Sequence, residues 1–397
     1  GAGGEWRVEN QRLHWDVLDD WKQAAIQYGL PECDDFNTGD NEGVGYFRVN
    51  QRKGWRINTA KAFLRSAQKN LLRVETHAHT QRVLFDGRRA VGVEFEQHGE
   101  VKTVRAKAEV IISAGAIGSP HLLQLSGIGP ADLLGANGIR VRHDAPEVGE
   151  NLQDHLQMRT IVELADCGNS LNDHMRNPIS LAKMGLEWLL GSRGPLTVGA
   201  GQVGGAACTK HAENGRPDLQ LFVMPLSVDK PGKPLHRFSG FTTSFWQCHP
   251  ESRGSVRIVS DNPLADPCIT TNYLAAEKDQ KVIVEGIRLV RELYNRPEFR
   301  QRWRREIVPG AEYQTDADVL DAIRQMAGTV YHLVGTCRMG RDDRSVVDPE
   351  LRVNGVDGLR VVDASVMPRI TSANTNAPTY MIADKAAAMI RAAASGA

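Results

Sequence analysis

The chain lacks any cysteine pattern that would tie it together or hold a metal. Its six cysteines (Cys33, Cys167, Cys208, Cys248, Cys268 and Cys337) are scattered, with no CxxC and no paired spacing. Such usage fits free thiols in a reducing compartment rather than a disulfide framework or a zinc site. An excess of either charge is also missing. Lys+Arg and Asp+Glu both number 48, which argues against a nucleic-acid partner, since that footprint needs a basic excess. No apolar run approaches the roughly 18 residues of a membrane span, so no integral membrane segment is expected, and no secretory signal is visible. No GxSxG elbow marks a serine nucleophile, and no internal repeat or low-complexity segment stands out. What remains is a 397-residue chain, long enough for two domains or one large one. Its expected location is the cytoplasm. The first residue is Gly1 rather than Met, which suggests a processed or truncated product.

Taken in order, residues 14–28 place Leu18, Trp21, Ala25 and Tyr28 at helical spacing, with Gly29 as C-cap and Pro31 beyond it. Residues 57–70 read as a second helix with Asn58 or Thr59 as N-cap. A run of strands follows, LRVETHAHTQRVLF, AVGVEFE and VKTVRAKAEVIISAGA, with a hairpin signal at Asp86-Gly87. The last ends in an apolar strand, Val110 to Ile112, read as buried on both faces. It runs into the small-residue turn Ser113-Ala114-Gly115-Ala116 and then a helix. Residues 146–155, PEVGENLQDH, are polar and Gly-broken, a domain crossing. Beyond them one helix carries the stripe Ile283, Ile287, Val290 and Tyr294. Another carries Val319, Leu320, Ile323 and Met326, opened by Thr315 with Asp318 three residues on. The order is mixed α and β, with an excursion domain between two parts of a nucleotide-binding sheet.

Several motifs have ordinary readings. GAGQVG at 199–204 matches GxGxxG, with Asp218 at a tempting distance. Pro195 spoils the strand that should precede it, however, and Gly, Asn and Pro break the helix that should follow. It is read as a loop. His77 and His79 are read as one face of a strand, with no third metal ligand nearby. The basic stretch 287–307 is read as a solvated helix face.

The last seventy residues carry the chemistry. His332 lies in a loop flanked by Gly335 and Gly340. An apolar strand, Leu359 to Val362, ends in Asp363, and a turn containing Asn374 and Asn376 feeds a helix opened by Pro378. A ligand at the end of that strand would meet an acidic residue, side-chain amides and a helix N-terminus. A neutral imidazole can take a proton from a hydroxyl near neutral pH, and an amide beside it could steady the alkoxide. The pairing suggests alcohol oxidation.

These stretches resemble the glucose–methanol–choline (GMC) flavin oxidoreductases, in their choline dehydrogenase-like branch. The resemblance rests on GAIGSPHLLQLSGIGP (115–130), VGENLQDH (148–155), PESRGSVRI (250–258), DPCITTNYL (266–274), YHLVGTCRMG (331–340), GLRVVDASVMP (358–368) and SANTNAPT (372–379), all in the family's order. It implies an α/β (α+β) fold. A partial FAD-binding doubly wound sheet with a β-meander would be joined to a substrate domain with an antiparallel sheet and helices. Residues 1–155 would be the remainder of the FAD-binding domain and 156–330 the substrate domain. Residues 331–397 would be the catalytic loop and the return to the FAD-binding domain. The resemblance further implies FAD as cofactor and oxidation of a small-molecule alcohol to an aldehyde, with oxygen or a quinone as electron acceptor. His332 would be the general base, with Asn374 as its partner. Asp363 and Ala364 would lie at the FAD pyrophosphate and ribityl chain, and Asn376, Pro378 and Thr379 at the flavin's pyrimidine edge. Thr80, Ala114, Gly115 and Tyr331 complete the expected cofactor contacts.

The family's opening strand, GxGxxG and helix have no counterpart here, so about 150 residues of the pattern, a typical domain's worth, are absent. The strands Val110–Ile112 and Leu359–Val362 are expected to flank that missing unit. A truncated product, or a separate N-terminal half as partner, accounts for this better than a remnant that lost its cofactor. By itself the chain is expected to hold FAD poorly and to be inactive. Two alternatives are a hydroxynitrile lyase-type member and a non-catalytic fragment. Peripheral contact with the inner membrane is an additional expectation.

Overall fold

The computed structural model describes residues 3–39, 41–67, 70–166, 168–197, 199, 201–230 and 232–395. The chain divides between two units. One comprises Gly1–Arg73, Leu156–Gln247 and Gln280–Gly328; the other comprises Val74–His155, Cys248–Asp279 and Thr329–Ala397. The expected segment 1–155 is thus shared between them, and 248–279 belongs with the second unit. The polar stretch ending at His155 lies at a crossing.

The first unit is built on an antiparallel sheet. Its strand path runs Gly43–Tyr46, Val203–Ala207, Leu219–Met224, Gly240–Gln247, Leu156–Leu164 and Trp303–Val308. Helix Asp16–Tyr28 buries Val17, Leu18, Trp21, Ala24 and Ala25, and ends at Gly29 with φ 119°, a conformation glycine adopts at least cost. The stripe Ile283, Ile287, Val290 and Tyr294 is buried on helix Glu277–Tyr294. Gly286 lets this helix approach the sheet, because a Cβ there would sit 2.4 Å from the Phe245 ring. The Tyr294 hydroxyl donates to Thr243 Oγ1 at 2.8 Å. Helix Asp316–Met326 opens with the expected Thr315–Asp318 capping box. Its buried face is Val319, Ala322 and Ile323, while Met326 is exposed.

Two expectations change in this unit. The helix over 57–70 reduces to one wide turn, Ala60–Leu64, closed by Arg65 N–H on the Ala60 carbonyl, and Asn58 Oδ1 accepts from Lys61 N–H. Residues 68 and 69 lie outside the described residues. Within GAGQVG, Val203 begins the strand Val203–Ala207 rather than a helix, and Ala200 lies outside the described residues. Asp218 is committed to Thr209, accepting from both its N–H and its hydroxyl.

The second unit holds the motifs of interest. Strands Ala78–Asp86, Arg89–Gln97 and Glu100–Arg105 form an antiparallel meander, with Gly87 in the hairpin at φ 57°. His77 falls just before the first strand at φ 56°, so it does not share a strand face with His79. Strands Val110–Ile112 and Leu359–Val361 pair parallel, Leu359 opposite Val110 and Val361 opposite Ile112. They are therefore direct neighbours, with no strand between them, rather than flanking a missing one. Ile111 is 45% exposed, so the first of them is buried on one face only. Helix Gly115–Leu125 leaves this pair, and Leu123, Val334, Val347, Val366 and Ile382 join the strands in one core. Gln124, fully buried, ties the helix to neighbouring segments. Its Nε2 donates to the Val148 and Val256 carbonyls, and its Oε1 accepts from Ile258 N–H.

Candidate active site

His332 is positioned by the segment Asn151–His155. Gln153 and Val334 exchange both backbone hydrogen bonds, at 3.0 and 2.9 Å. Tyr331 turns the chain with φ 62°, its N–H on Thr329 Oγ1 at 2.8 Å. Gly335 turns it again with φ 97°, and a Cβ there would lie 2.4 Å from the Asn151 carbonyl oxygen. Asp154 holds the loop backbone. Its Oδ1 accepts from His332 N–H at 2.9 Å, while its Oδ2 accepts from the Tyr273 hydroxyl at 2.5 Å and the Thr329 hydroxyl at 2.6 Å. Burial raises the Asp154 pKa, and these donors oppose the shift. Burial, followed by the Asp154 charge, pushes the Tyr273 phenol well up.

The His332 ring lies between a second histidine and an amide. His155 Nδ1 is 2.9 Å from His332 Nδ1, with the rings near perpendicular at 85°. His155 Nε2 is 3.2 Å from the Cys248 carbonyl oxygen. On the other side, Asn374 Nδ2 is 3.0 Å from His332 Nε2. Burial lowers the His332 pKa to about 4. Burial and the neighbouring His332 lower that of His155 to about 3. Both rings are therefore neutral at physiological pH, and the pair offers an uncharged base in a largely dry setting.

All but two of the expected cofactor residues, Thr80 and Tyr331, gather in two places. At the carboxyl ends of the parallel strands, Asp363 Oδ2 accepts from Gly115 N–H at 2.9 Å and from the Ser119 hydroxyl at 2.5 Å. Its Oδ1 accepts from Ser365 N–H at 2.8 Å and from the Ser365 hydroxyl at 2.5 Å. This carboxylate is thus committed to its own chain, where it locks the start of helix Gly115–Leu125 to the turn Ala364–Val366. Ser113 and Ala114 are exposed. A Cβ on Gly115 would meet nothing within 4 Å, so the space beside that residue is clear, with its N–H already given to Asp363. Ligands of α/β sheets bind at such strand ends. The second place is the start of helix Asn376–Ser395, where Asn374, Asn376 and Ala377 are exposed and Pro378 and Thr379 half-buried. The helix begins two residues before Pro378. Thr379 is engaged with the Thr375 carbonyl through both its N–H and its hydroxyl. Tyr331 is 73% exposed and Thr80 half-buried on the meander. The clear space beside Gly115, the exposed strand-end turn and the outward-facing helix N-terminus fit part of a flavin nucleotide.

Sequence reasoning brought forward His332 and Asn374 but missed His155, Asp154 and Tyr273. NLQDH reads as a polar crossing, and only its pairing with Val334 reveals that its last two residues face the base. Among the described residues there is no group of three His, Cys, Asp or Glu side chains able to hold a metal ion.

The family pattern described as "GMC oxidoreductase" matches residues 5–157 and 250–383. An alcohol dehydrogenase [acceptor] of Pseudomonas putida is 39% identical over 402 residues, covering 98% of this chain and 71% of that protein. An oxygen-dependent choline dehydrogenase of Chromohalobacter salexigens is 40% identical over 380 residues, covering 93% of this chain and 66% of the relative. Among solved structures, pyridoxine 4-oxidase from Mesorbium loti superposes with a TM-score of 0.84 at 28% identity, covering 98% of this chain and 72% of that one. A formate oxidase of Aspergillus oryzae RIB40, studied for its FAD modification, superposes with a TM-score of 0.90 at 25% identity, covering 99% and 73%. With the histidine–amide pair, the strand-end turn and the matched motifs all in one chain, this protein belongs to the GMC family of FAD-dependent oxidoreductases, in its choline dehydrogenase-like branch.

Proposed function

We propose that this chain supplies the base and part of the flavin cradle for FAD-dependent oxidation of an alcohol to an aldehyde. The observation that carries the reading is the buried neutral His332, with Asn374 Nδ2 at its Nε2. FAD, when bound, supplies the acceptor for the hydride that leaves the carbinol carbon. His332 takes the hydroxyl proton at Nε2. Asn374 keeps an amide N–H beside the oxygen as negative charge develops on it. The exposed N-terminus of helix Asn376–Ser395 offers positive potential to an electron-rich ring. The strand-end turn 113–115 faces the nucleotide with backbone rather than charge. In this reading the unit containing His332 carries both the base and the flavin-binding residues.

Primary alcohols, choline among them, are the substrate class, and oxygen or a quinone is the acceptor. The lyase alternative is not favoured by the relatives, which are named as dehydrogenases and oxidases. The test is anaerobic mixing of the flavin-loaded protein with a series of alcohols. Bleaching of the flavin absorbance supports oxidation; cleavage of a cyanohydrin with the flavin unchanged would replace it with the lyase reading.

No helix among the described residues is long and apolar enough to cross a membrane. Peripheral contact is supported by helix Pro178–Gly191, where Ile179, Leu186, Leu189 and Leu190 stand exposed. Trp188 meets Trp55 edge-on at 4.9 Å, and Arg52, Lys53, Arg56, Lys61 and Arg65 follow one another with no acidic residue among them. Apolar side chains beside cations suit an anionic lipid surface. Co-sedimentation with phosphatidylglycerol vesicles, lost in Leu189→Glu, is the expected result.

A further inference from the structure

Four groups stand in line at the base, and their geometry points to one arrangement of protons. A carbonyl oxygen accepts and never donates, so the 3.2 Å contact from Cys248 O to His155 Nε2 requires the proton on that nitrogen. His155 is fully buried, and burial disfavours the charge that a second proton would bring. Its Nδ1 therefore carries a lone pair. The 2.9 Å approach of the two Nδ1 atoms needs a single proton between them, and that proton belongs to His332. His332 Nε2 is then bare, which agrees with Asn374 presenting an amide nitrogen to it at 3.0 Å.

We infer that His155 is a positioning residue that fixes His332 as the Nδ1–H tautomer and so presents the Nε2 lone pair to the substrate hydroxyl. Free histidine favours the opposite tautomer, in which Nε2 is capped by a proton and can take none. The relay from the Cys248 carbonyl reverses that preference, playing with a neutral partner the orienting role that a carboxylate plays in a hydrolase triad. It also fixes where the proton stays. Once Nε2 is protonated, the imidazolium still donates Nδ1–H to His155, and His155 cannot pass its own Nε2 proton onward because the Cys248 carbonyl oxygen is far too weakly basic to take it. The depressed pKa of His155, caused by burial and by His332, agrees with a partner that stays neutral throughout. Asp154 fixes the His332 backbone from the adjoining position, so two consecutive residues set both the place and the protonation of the base.

This inference rests on the reading of His332 as the base, but its test does not. Nitrogen-15 NMR on the full chain with ring-labelled histidine reports each tautomer directly, and His332→Gln identifies the signal among the 12 histidines. The expected wild-type result near neutral pH is a protonated Nδ1 and a bare Nε2 on His332. His155→Leu should move His332 to the Nε2–H form. His155→Asn, which can place an amide oxygen where Nδ1 stood, should retain the wild-type form. An Nε2–H signal in the wild type overturns the proposal, as does an unchanged tautomer in a folded His155→Leu. If the Leu variant fails to fold, the wild-type and Asn spectra still decide. In the flavin-loaded enzyme His155→Leu should lower kcat by about 10²-fold, the lower end of what general-base catalysis supplies, with KM near wild type. Full turnover in His332→Gln would remove the base reading while leaving the tautomer result intact.

Discussion

Around His332 the chain bonds to itself on every side. The loop backbone is held by Asp154 and by Gln153, its turns by Tyr331 and Gly335, and its ring by His155 and Asn374. At Ser113, Ala114, Asn376 and Ala377 the same unit stands open, with exposed residues and clear space over Gly115. The difference separates two jobs. Proton handling needs a group held to a fraction of an ångström before the substrate arrives, so its hydrogen bonds are made within the chain. Cofactor holding needs surface left clear for the ligand, and here the space is open even though Ala114 and Gly115 donate their N–H groups to Ser119 and Asp363.

Perturbing the closed region should cost stability, and perturbing the open one should not. Gly335→Ala forces a β-carbon against the Asn151 carbonyl at a positive φ. It should destabilise the protein by about 3 kcal/mol in urea unfolding, and a change under 0.5 kcal/mol would mean the loop is looser than described. Acid gives the next effect. Burial lowers both ring pKa values, His332 to about 4 and His155 to about 3, so below pH 6.5 the unfolded chain binds protons more readily than the folded one. Stability should therefore fall as pH drops from about 6.5 toward 4, and thermal unfolding in His332→Ala should show a shallower fall over that window. The smallest stability effect should be at the open site. Asn376→Ala, at an exposed helix start, should change unfolding free energy by less than about 0.5 kcal/mol while weakening flavin retention on gel filtration. Loss of stability with unchanged retention would reverse the comparison.

Much of this architecture was legible from local chemistry. The Thr315–Asp318 capping box, the Gly29 cap and the turn at Asp86-Gly87 follow from residue types a few positions apart, and so did the paired stripe on helix Glu277–Tyr294. His332 and Asn374 were brought forward by their motifs, and the structure sets them 3.0 Å apart. Long-range placement was not legible. His155 and His332 are 177 residues apart, and nothing in NLQDH announces a partner. Asp363 was expected at the FAD pyrophosphate and ribityl chain, and nothing in its motif announced that its two oxygens accept from four donors of its own chain. No sequence pattern distinguishes an inward from an outward carboxylate at a strand end. Ile111 looked buried because an apolar triplet reads alike whether one face or two is covered.

The most direct measurement is the rate of flavin reduction by a saturating alcohol, followed anaerobically by stopped flow in the flavin-loaded enzyme that contains this chain, as wild type and as His332→Ala. Removal of the base should slow reduction by about 10²–10⁴-fold. A His332→Ala protein that reduces its flavin at the wild-type rate would contradict the account.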